Sequence, residues 1–395
     1  MDGPAGSGKT FTYNYLIAET INRGFKSTTA AWAGIAATLL TNGSTLHGLF
    51  KHPVPILDNS TCNVTPYSKH GHFLRQVNLF LLDETSLIPN YALNAIDRLL
   101  KDVCNNNFPF GGKVILFGGD FKQILPVVKR GQPAEIVESC IKCYLQWQRV
   151  QKFALTENMR VHDGEGEFSQ WLLKLGSGTI PVKEEDPFKG CIEIPHQCII
   201  RENDFIVDKI FGDAEQNDYS QPVILTPTNV DSLSINEEVL ECLPGEVKIY
   251  VSGDQIETDN LNERNNFPVE FLNSLTPSGM PRHCLKYKTG CVIMLLRNLD
   301  LKAGLCNGTR IIVCALLNNY IDAEVLTGVS GGKRVFIPRI QLAPSDSNLL
   351  FVLKRRQFLV RLAYSITINK TQGQTFDRSL GFSLPNVHGL LAQAV

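Results

Sequence analysis

The stretch Gly3–Thr10 reads GPAGSGKT, and it constrains the fold more than any other part of the chain. A glycine-rich loop ending in Gly-Lys-Thr works only between a strand and a helix. Its glycines let backbone N–H groups curl around a phosphate, and the following helix adds the positive end of its dipole. A helix is expected from Phe11 to Arg23, with Phe11, Tyr15 and Ala18 on one face. In that frame Gly3, Pro4, Ala5, Gly6, Ser7 and Gly8 cradle phosphate oxygens. Lys9 pairs with the β and γ phosphates of a nucleotide, and Thr10 offers its hydroxyl to Mg²⁺.

Such a loop needs an acidic pair at the end of a neighbouring strand. The uninterrupted apolar run Leu79–Leu82 supplies it by ending in Asp83 and Glu84. Asp83 suits the Mg²⁺ role, and Glu84 suits a residue that orients or deprotonates an attacking water. A second such run, Val114–Phe117, leads to Asp120 and then to Gln123, within GGDFKQILPV. A neutral amide that both donates and accepts can sense a γ-phosphate and report it to a neighbouring surface. Runs apolar on both faces are expected of parallel strands covered by helices, with ligands at their carboxyl ends.

At 395 residues the chain is long enough for two or three domains. Short apolar strands alternating with helices mark residues 1–157 as a first α/β domain. A second α/β region is read from 158–290 and 343–395, where Val223–Leu225 runs into Thr226 and the sequence TPTN. Between them, 291–342 is read as a small antiparallel, barrel-like insert, with strands at Val292–Leu296, Thr309–Leu317 and Arg334–Ile337. The expected class is therefore α/β, with parallel sheet in both regions and a β insert in the second.

The formal net charge is −1, so binding of nucleic acid has to come from a local basic groove. Eleven cysteines at irregular spacing argue against a disulfide framework and for a reducing compartment. The lone Cys140–Cys143 CxxC has no matching second pair and is read as two thiols. His70 and His72 are read as solvated loop histidines, and Lys354-Arg355-Arg356 as a solvated basic cluster. No apolar run reaches the ~18 residues of a membrane span, and no signal core is present, so an intracellular, nuclear protein is expected.

Eight segments follow one another in a familiar order. They are GPAGSGKT, AGIAATLLTNGSTLHGLF, LLDETSLI, PFGGKVILFGGDFKQILPVV, LTENMRV, ILTPTN, GCVIMLLRNLDLKAGLCNGTR and LKRRQFLVRLAYSITINKTQGQT. Together they resemble the Pif-type (petite integration frequency) branch of superfamily-one DNA helicases, most closely the version that accompanies Helitron-like rolling-circle transposons. The resemblance covers nearly the whole chain. It implies two P-loop (RecA-like) motor domains with parallel sheets that use ATP and Mg²⁺, single-stranded DNA as track, duplex or structured DNA as substrate, and five-prime to three-prime translocation. Roles in DNA repair, recombination and telomere maintenance are implied as well. Arg160 matches the arginine that reaches the γ-phosphate, where a guanidinium spreads charge over the transferring oxygens. His47, Asn229, Thr367, Lys370 and Gln372 match positions lining the DNA path, with Gln372 also near the nucleotide side.

Two departures from the family's pattern set further expectations. No strand precedes Gly3 beyond two residues, so an incomplete first sheet is expected. His388-Gly389 is present without the family's later Ser-Arg, so weak or absent ATP hydrolysis is expected, since an arginine finger is worth roughly 10³ to 10⁵ in rate. A decayed remnant that binds nucleotide or nucleic acid without unwinding is the alternative reading. A small-molecule kinase accounts for residues 1–120 only.

Overall fold

A computed structural model describes the chain except for residues 124, 129–130, 162–165, 185–190, 196–198, 201–205, 212–221, 258–266, 278, 327, 329, 345–350, 372–373, 375–379, 384–389 and 394–395. The sequence readings of Gln372 and of His388-Gly389 lie outside the described residues. Two compact units divide the chain, Met1–Glu193 and Ile194–Val395.

The first unit is built on a parallel sheet of β1 (Ser27–Ala31), β2 (Ser44–Thr45), β3 (Leu79–Asp83) and β4 (Val114–Phe117), in the order β2-β1-β3-β4. Phe80, Leu81 and Leu82 of β3 have no exposed surface, as a strand covered on both faces requires. One cover is the helix Asn90–Cys104, whose Ala92, Leu93, Ile96, Leu99, Leu100 and Val103 recur at three- and four-residue spacing and are buried. It ends at Asn105, which takes the left-handed conformation of a helix stop, φ 53°. Met1–Gly3 lie beyond β4, where Asp2 makes parallel bridges to both Gly119 and Ala154. Further along the same edge, Val114 is 63% exposed.

Two local expectations change. The helix after the loop is α1 (Lys9–Asn22), and it buries Tyr13 and Ile17, while Phe11 and Tyr15 are exposed. Tyr13 and Ile17 form a second stripe with the same four-residue spacing, and that stripe is the one turned to the sheet. His70 and His72 stand on a helix, Lys69–Gln76, not a loop. Ser68 caps it by accepting from the Gly71 N–H at 3.0 Å, and the His70 ring contacts the Leu49 carbonyl oxygen at 2.7 Å. Cys140 is buried and Cys143 exposed, and no group of three metal-ligating side chains occurs among the described residues. The described cysteines are free thiols.

In the second unit β6 (Val223–Thr226) pairs in parallel with both Ser365–Thr367 and Leu380–Ser383, and antiparallel strands at Leu390–Gln393 and Ile199–Ile200 extend that sheet. A separate antiparallel sheet runs through seven strands lying between Gly253 and Leu362. It includes the expected strands at Val292–Leu295, Arg310–Leu316 and Arg334–Leu342. It is wider than 291–342, because Gly253–Glu257, Val352–Phe358 and Val360–Leu362 close its edges.

The widening explains why Lys354-Arg355-Arg356 is not a solvated cluster. Strand alternation turns Arg355 fully inward, 0% exposed, while Arg356 stays out. The guanidinium of Arg355 donates to both carboxylate oxygens of Asp254 at 2.6–3.1 Å, and to the carbonyls of Leu272, Leu275 and Pro281 at 2.9–3.0 Å. Every donor of that buried cation has a partner, which is what makes burying it tolerable. Among the described residues no helix is long and apolar enough to cross a membrane.

Candidate nucleotide and nucleic-acid sites

The loop Gly3–Gly8 is held from both ends of the motif set. Gly6 and Gly8 sit in the left-handed region, φ 80° and 81°, and Gly8 passes directly into α1. The Gly6 carbonyl accepts the Met159 N–H at 2.9 Å, and a Cβ on Gly6 would stand 2.3 Å from Asn158 Oδ1 and 3.3 Å from the Arg160 Cβ. Asn158 Oδ1 in turn accepts the Arg160 N–H at 3.0 Å. The LTENMRV segment is thereby pressed against the phosphate loop, with the Arg160 side chain exposed. Lys9 Nζ donates to the carbonyls of Gly3 at 2.6 Å and Pro4 at 3.1 Å, so the ammonium is held over the mouth of the loop. Thr10 is exposed on the first turn of the helix.

Asp83 ends β3 opposite Ala31. Tyr13 donates its hydroxyl to Asp83 Oδ1 at 2.9 Å, which fixes the carboxylate from the helix side. Burial raises the Asp83 pKa, and the Glu84 backbone, the Tyr13 hydroxyl and the charge of Lys9 oppose that rise. Burial pushes the Tyr13 hydroxyl far up, followed by the effect of the Asp83 charge, so it stays a donor. Gly118 makes room for this ring, since a Cβ there would lie 1.8 Å from the Tyr13 oxygen. The first glycine of GGDFKQ is therefore a packing requirement of the acidic residue beside it.

Glu84 follows in the left-handed conformation, φ 54°, which costs a residue other than glycine roughly 1–2 kcal/mol. Next to it the Thr85 hydroxyl and N–H both donate to the Gly118 carbonyl, at 2.9 and 3.0 Å. A buried Asp120 then accepts the Lys122 N–H through its side chain and the Gln123 N–H through its carbonyl. Lys9 is thus held on the carbonyls of the phosphate loop, and the Arg160 backbone lies against it beside Asn158. Asp83 is tied to α1 through Tyr13, with Glu84 next in the chain, and Gln123 lies on the segment whose Gly119 is bridged to Asp2. The carboxylate of Asp83 and the hydroxyl of Thr10 suit Mg²⁺, which takes one or two carboxylates and fills its other positions with water and phosphate. Tyr13 and Asn158 escaped the sequence reading, because each acts on a motif 70 or about 150 residues away. A polar side chain on the sheet-facing stripe of α1 is the one signal that marks Tyr13.

His47, expected on the DNA path, belongs to this unit. Its ring stands 4.8 Å from Trp32 and 5.9 Å from His52, and burial lowers its pKa. The other described positions belong to the second unit. Thr228 caps α9 (Asn229–Cys242) there by accepting the Asp231 N–H at 3.2 Å. This sets Asn229 on the first turn. Thr367 pairs with Thr226 across parallel strands, so ILTPTN and TINKT end side by side. Asn236, unmarked by any motif, holds that arrangement. Buried in α9, it donates to the Ser232 and Ser365 carbonyls and accepts the N–H groups of Tyr364 and Ser365, all at 2.6–3.0 Å. Arg361 Nη1 reaches Asn229 Oδ1 at 3.4 Å. Burial, and after it the charge of Arg361, lower the pKa of Lys370 to about 8.

Two family models match this chain: the PIF1-like helicase family over residues 1–186, and the 2B domain of the DNA helicase Pif1 over residues 270–316. The two models place residues 1–186 and 270–316 among the Pif1-like helicases. Its fold is that of Bacteroides Pif1 bound to single-stranded DNA, with a TM-score of 0.70, 26% identity, and coverage of 98% of this chain and 83% of that one. A structure of two Pif1 helicases at forked double-stranded DNA matches with a TM-score of 0.67, 25% identity, and coverage of 98% and 82%. An ATP-dependent DNA helicase Pif1 from a Psychrobacter species is 24% identical, covering 95% of this chain. This Pif1-like chain spans 60% of the length of that relative.

Proposed function

We propose that this Pif1-like chain is an ATP-dependent DNA helicase motor that moves five-prime to three-prime on single-stranded DNA and opens duplex or structured DNA. The observation that carries the reading is the packing of Gly6 against Asn158 and Arg160. It seats the arginine segment on the phosphate loop, which a simple phosphate-binding turn does not need. In this reading Lys9 leaves the Gly3 and Pro4 carbonyls for the β and γ phosphates of ATP, where a cation counters their charge. Thr10 and Asp83 would hold Mg²⁺, which when bound would neutralise phosphate charge. Glu84 takes the proton of the attacking water, Arg160 spreads charge on the γ-phosphoryl oxygens, and Gln123 reports the γ-phosphate.

His47, Asn229, Thr367, Lys370 and Gln372 line the DNA path with donors that ignore base identity, as a translocating motor requires. The ordered motif set supports the Helitron-like branch of the family, and with it nuclear roles in repair, recombination and telomere maintenance. The test is strand separation by the chain on duplexes with a single-stranded tail at one end or the other. Unwinding from a five-prime tail that needs ATP supports the proposal. Unwinding from a three-prime tail alone, or ATP-independent melting, contradicts it.

A further inference from the structure

Among the described residues, Arg361 and Lys370 are cations that sit together without an anion. Arg361 lies on the edge strand Val360–Leu362, opposite Met294, and one of its nitrogens contacts Asn229 Oδ1 at 3.4 Å. Its Nε and Nη2 are shielded from water and have no hydrogen-bond partner among the described residues. Lys370 ends the short turn that Thr367 opens, and it feels the charge of Arg361. No carboxylate forms an ion pair with either residue among the described ones. Arg355, in the same sheet, shows what a stable buried arginine looks like here, with Asp254 and three carbonyls meeting its donors.

A desolvated guanidinium with idle N–H groups beside an ammonium destabilises a fold, so the arrangement calls for an anion with several acceptor oxygens. A phosphate fits, because two of its oxygens match the guanidinium fork and a third is open to an ammonium. The place is the carboxyl end of the parallel strands Val223–Thr226 and Ser365–Thr367, where open α/β sheets bind ligands.

We infer that Arg361 and Lys370, with Asn229 orienting the guanidinium, form the seat of one backbone phosphate of single-stranded DNA. This rests on the DNA-motor reading above and adds Arg361 as a phosphate contact that keeps the strand in register.

The test is fluorescence anisotropy of a labelled oligo-dT with the full chain, without nucleotide, over a series of salt concentrations, for wild type, Arg361→Gln and Arg361→Lys. ATP affinity and thermal melting are measured on the same proteins. Arg361→Gln should bind oligo-dT roughly tenfold more weakly, with the slope of log affinity against log salt flatter by about 0.7. Its melting temperature should be unchanged or higher, because an unpaired buried charge has gone, and Arg361→Lys should recover part of the affinity and the slope. A wild type that binds oligo-dT while Arg361→Gln matches it in affinity and slope overturns the seat and leaves the motor reading standing. Loss of ATP binding with DNA binding intact also overturns it, by moving the phosphate to a nucleotide. A lower melting temperature that accounts for the lost binding reduces Arg361 to a structural role. A wild type with no affinity for oligo-dT removes the motor reading itself, and this inference with it.

Discussion

At the phosphate loop of the first unit Lys9 and Asp83 are met by groups of their own chain, whereas at the strand ends of the second unit Arg361 keeps donors that no described residue meets. Lys9 rests on two loop carbonyls, Asp83 holds a tyrosine hydroxyl, and Asn158 bridges the loop to Arg160. In the second unit Arg361 keeps two nitrogens idle among the described residues, although Asn236 and Arg355 of the same unit are fully bonded. Groups that turn over a substrate are prearranged by internal bonds that the substrate can replace. Groups that grip a polyanion are left waiting for it, at some expense in stability.

The contrast can be broken at several depths. The largest effect is expected from Glu84→Gln, which should bind ATP normally and hydrolyse it about 10² to 10⁴ more slowly; equal turnover would remove Glu84 from its role. Asp254→Ala comes next, because it strands a fully buried Arg355 and should destabilise the second unit by about 3–5 kcal/mol in denaturant melts. Nucleotide binding by isolated equilibrium titration should be less affected in that variant than its stability. Gly6→Ala puts a side chain into the left-handed region and against Asn158, and should weaken ATP binding by about 2 kcal/mol or more. An alanine variant with normal ATP affinity would mean the loop is not clamped as described.

The smallest effect, and the one that sharpens the comparison, is Tyr13→Phe. Its stability cost should be about 1.5 kcal/mol, because one hydrogen bond to a carboxylate is lost. Burial already raises the Asp83 pKa and the tyrosine hydroxyl opposes that, so removing the hydroxyl lets the pKa rise further. Asp83 then takes up its proton at higher pH, and the acidic limb of the pH–rate profile should move upward. A limb that stays in place would show that Asp83 ionisation does not govern activity.

What the sequence made legible was contiguous. The phosphate loop and the acidic pair are short motifs whose geometry follows from the backbone they occupy, and an apolar run ending in Asp-Glu declares both strand and site. The rest depended on partners remote in the chain. Phe11 and Tyr15 make as good an apolar stripe as Tyr13 and Ile17, and only the sheet decides which is covered. Lys354-Arg355-Arg356 reads as a charged surface until Asp254, about a hundred residues earlier, is paired beside it. His70 and His72 read as loop because Gly71 separates them, yet the Ser68 cap starts a helix there. The antiparallel sheet was recognised from its turns, while its edges, supplied by strands outside 291–342, carried no local mark of membership.

The central claim is that the nucleotide site of the first unit answers to single-stranded DNA. It is tested most directly by ATP hydrolysis of the purified chain with and without oligo-dT, with Lys9→Ala as control. The account predicts that DNA raises the rate above the DNA-free level, whatever the absolute turnover, and that both rates vanish in Lys9→Ala. Hydrolysis that ignores DNA, or that persists without Lys9, would contradict it.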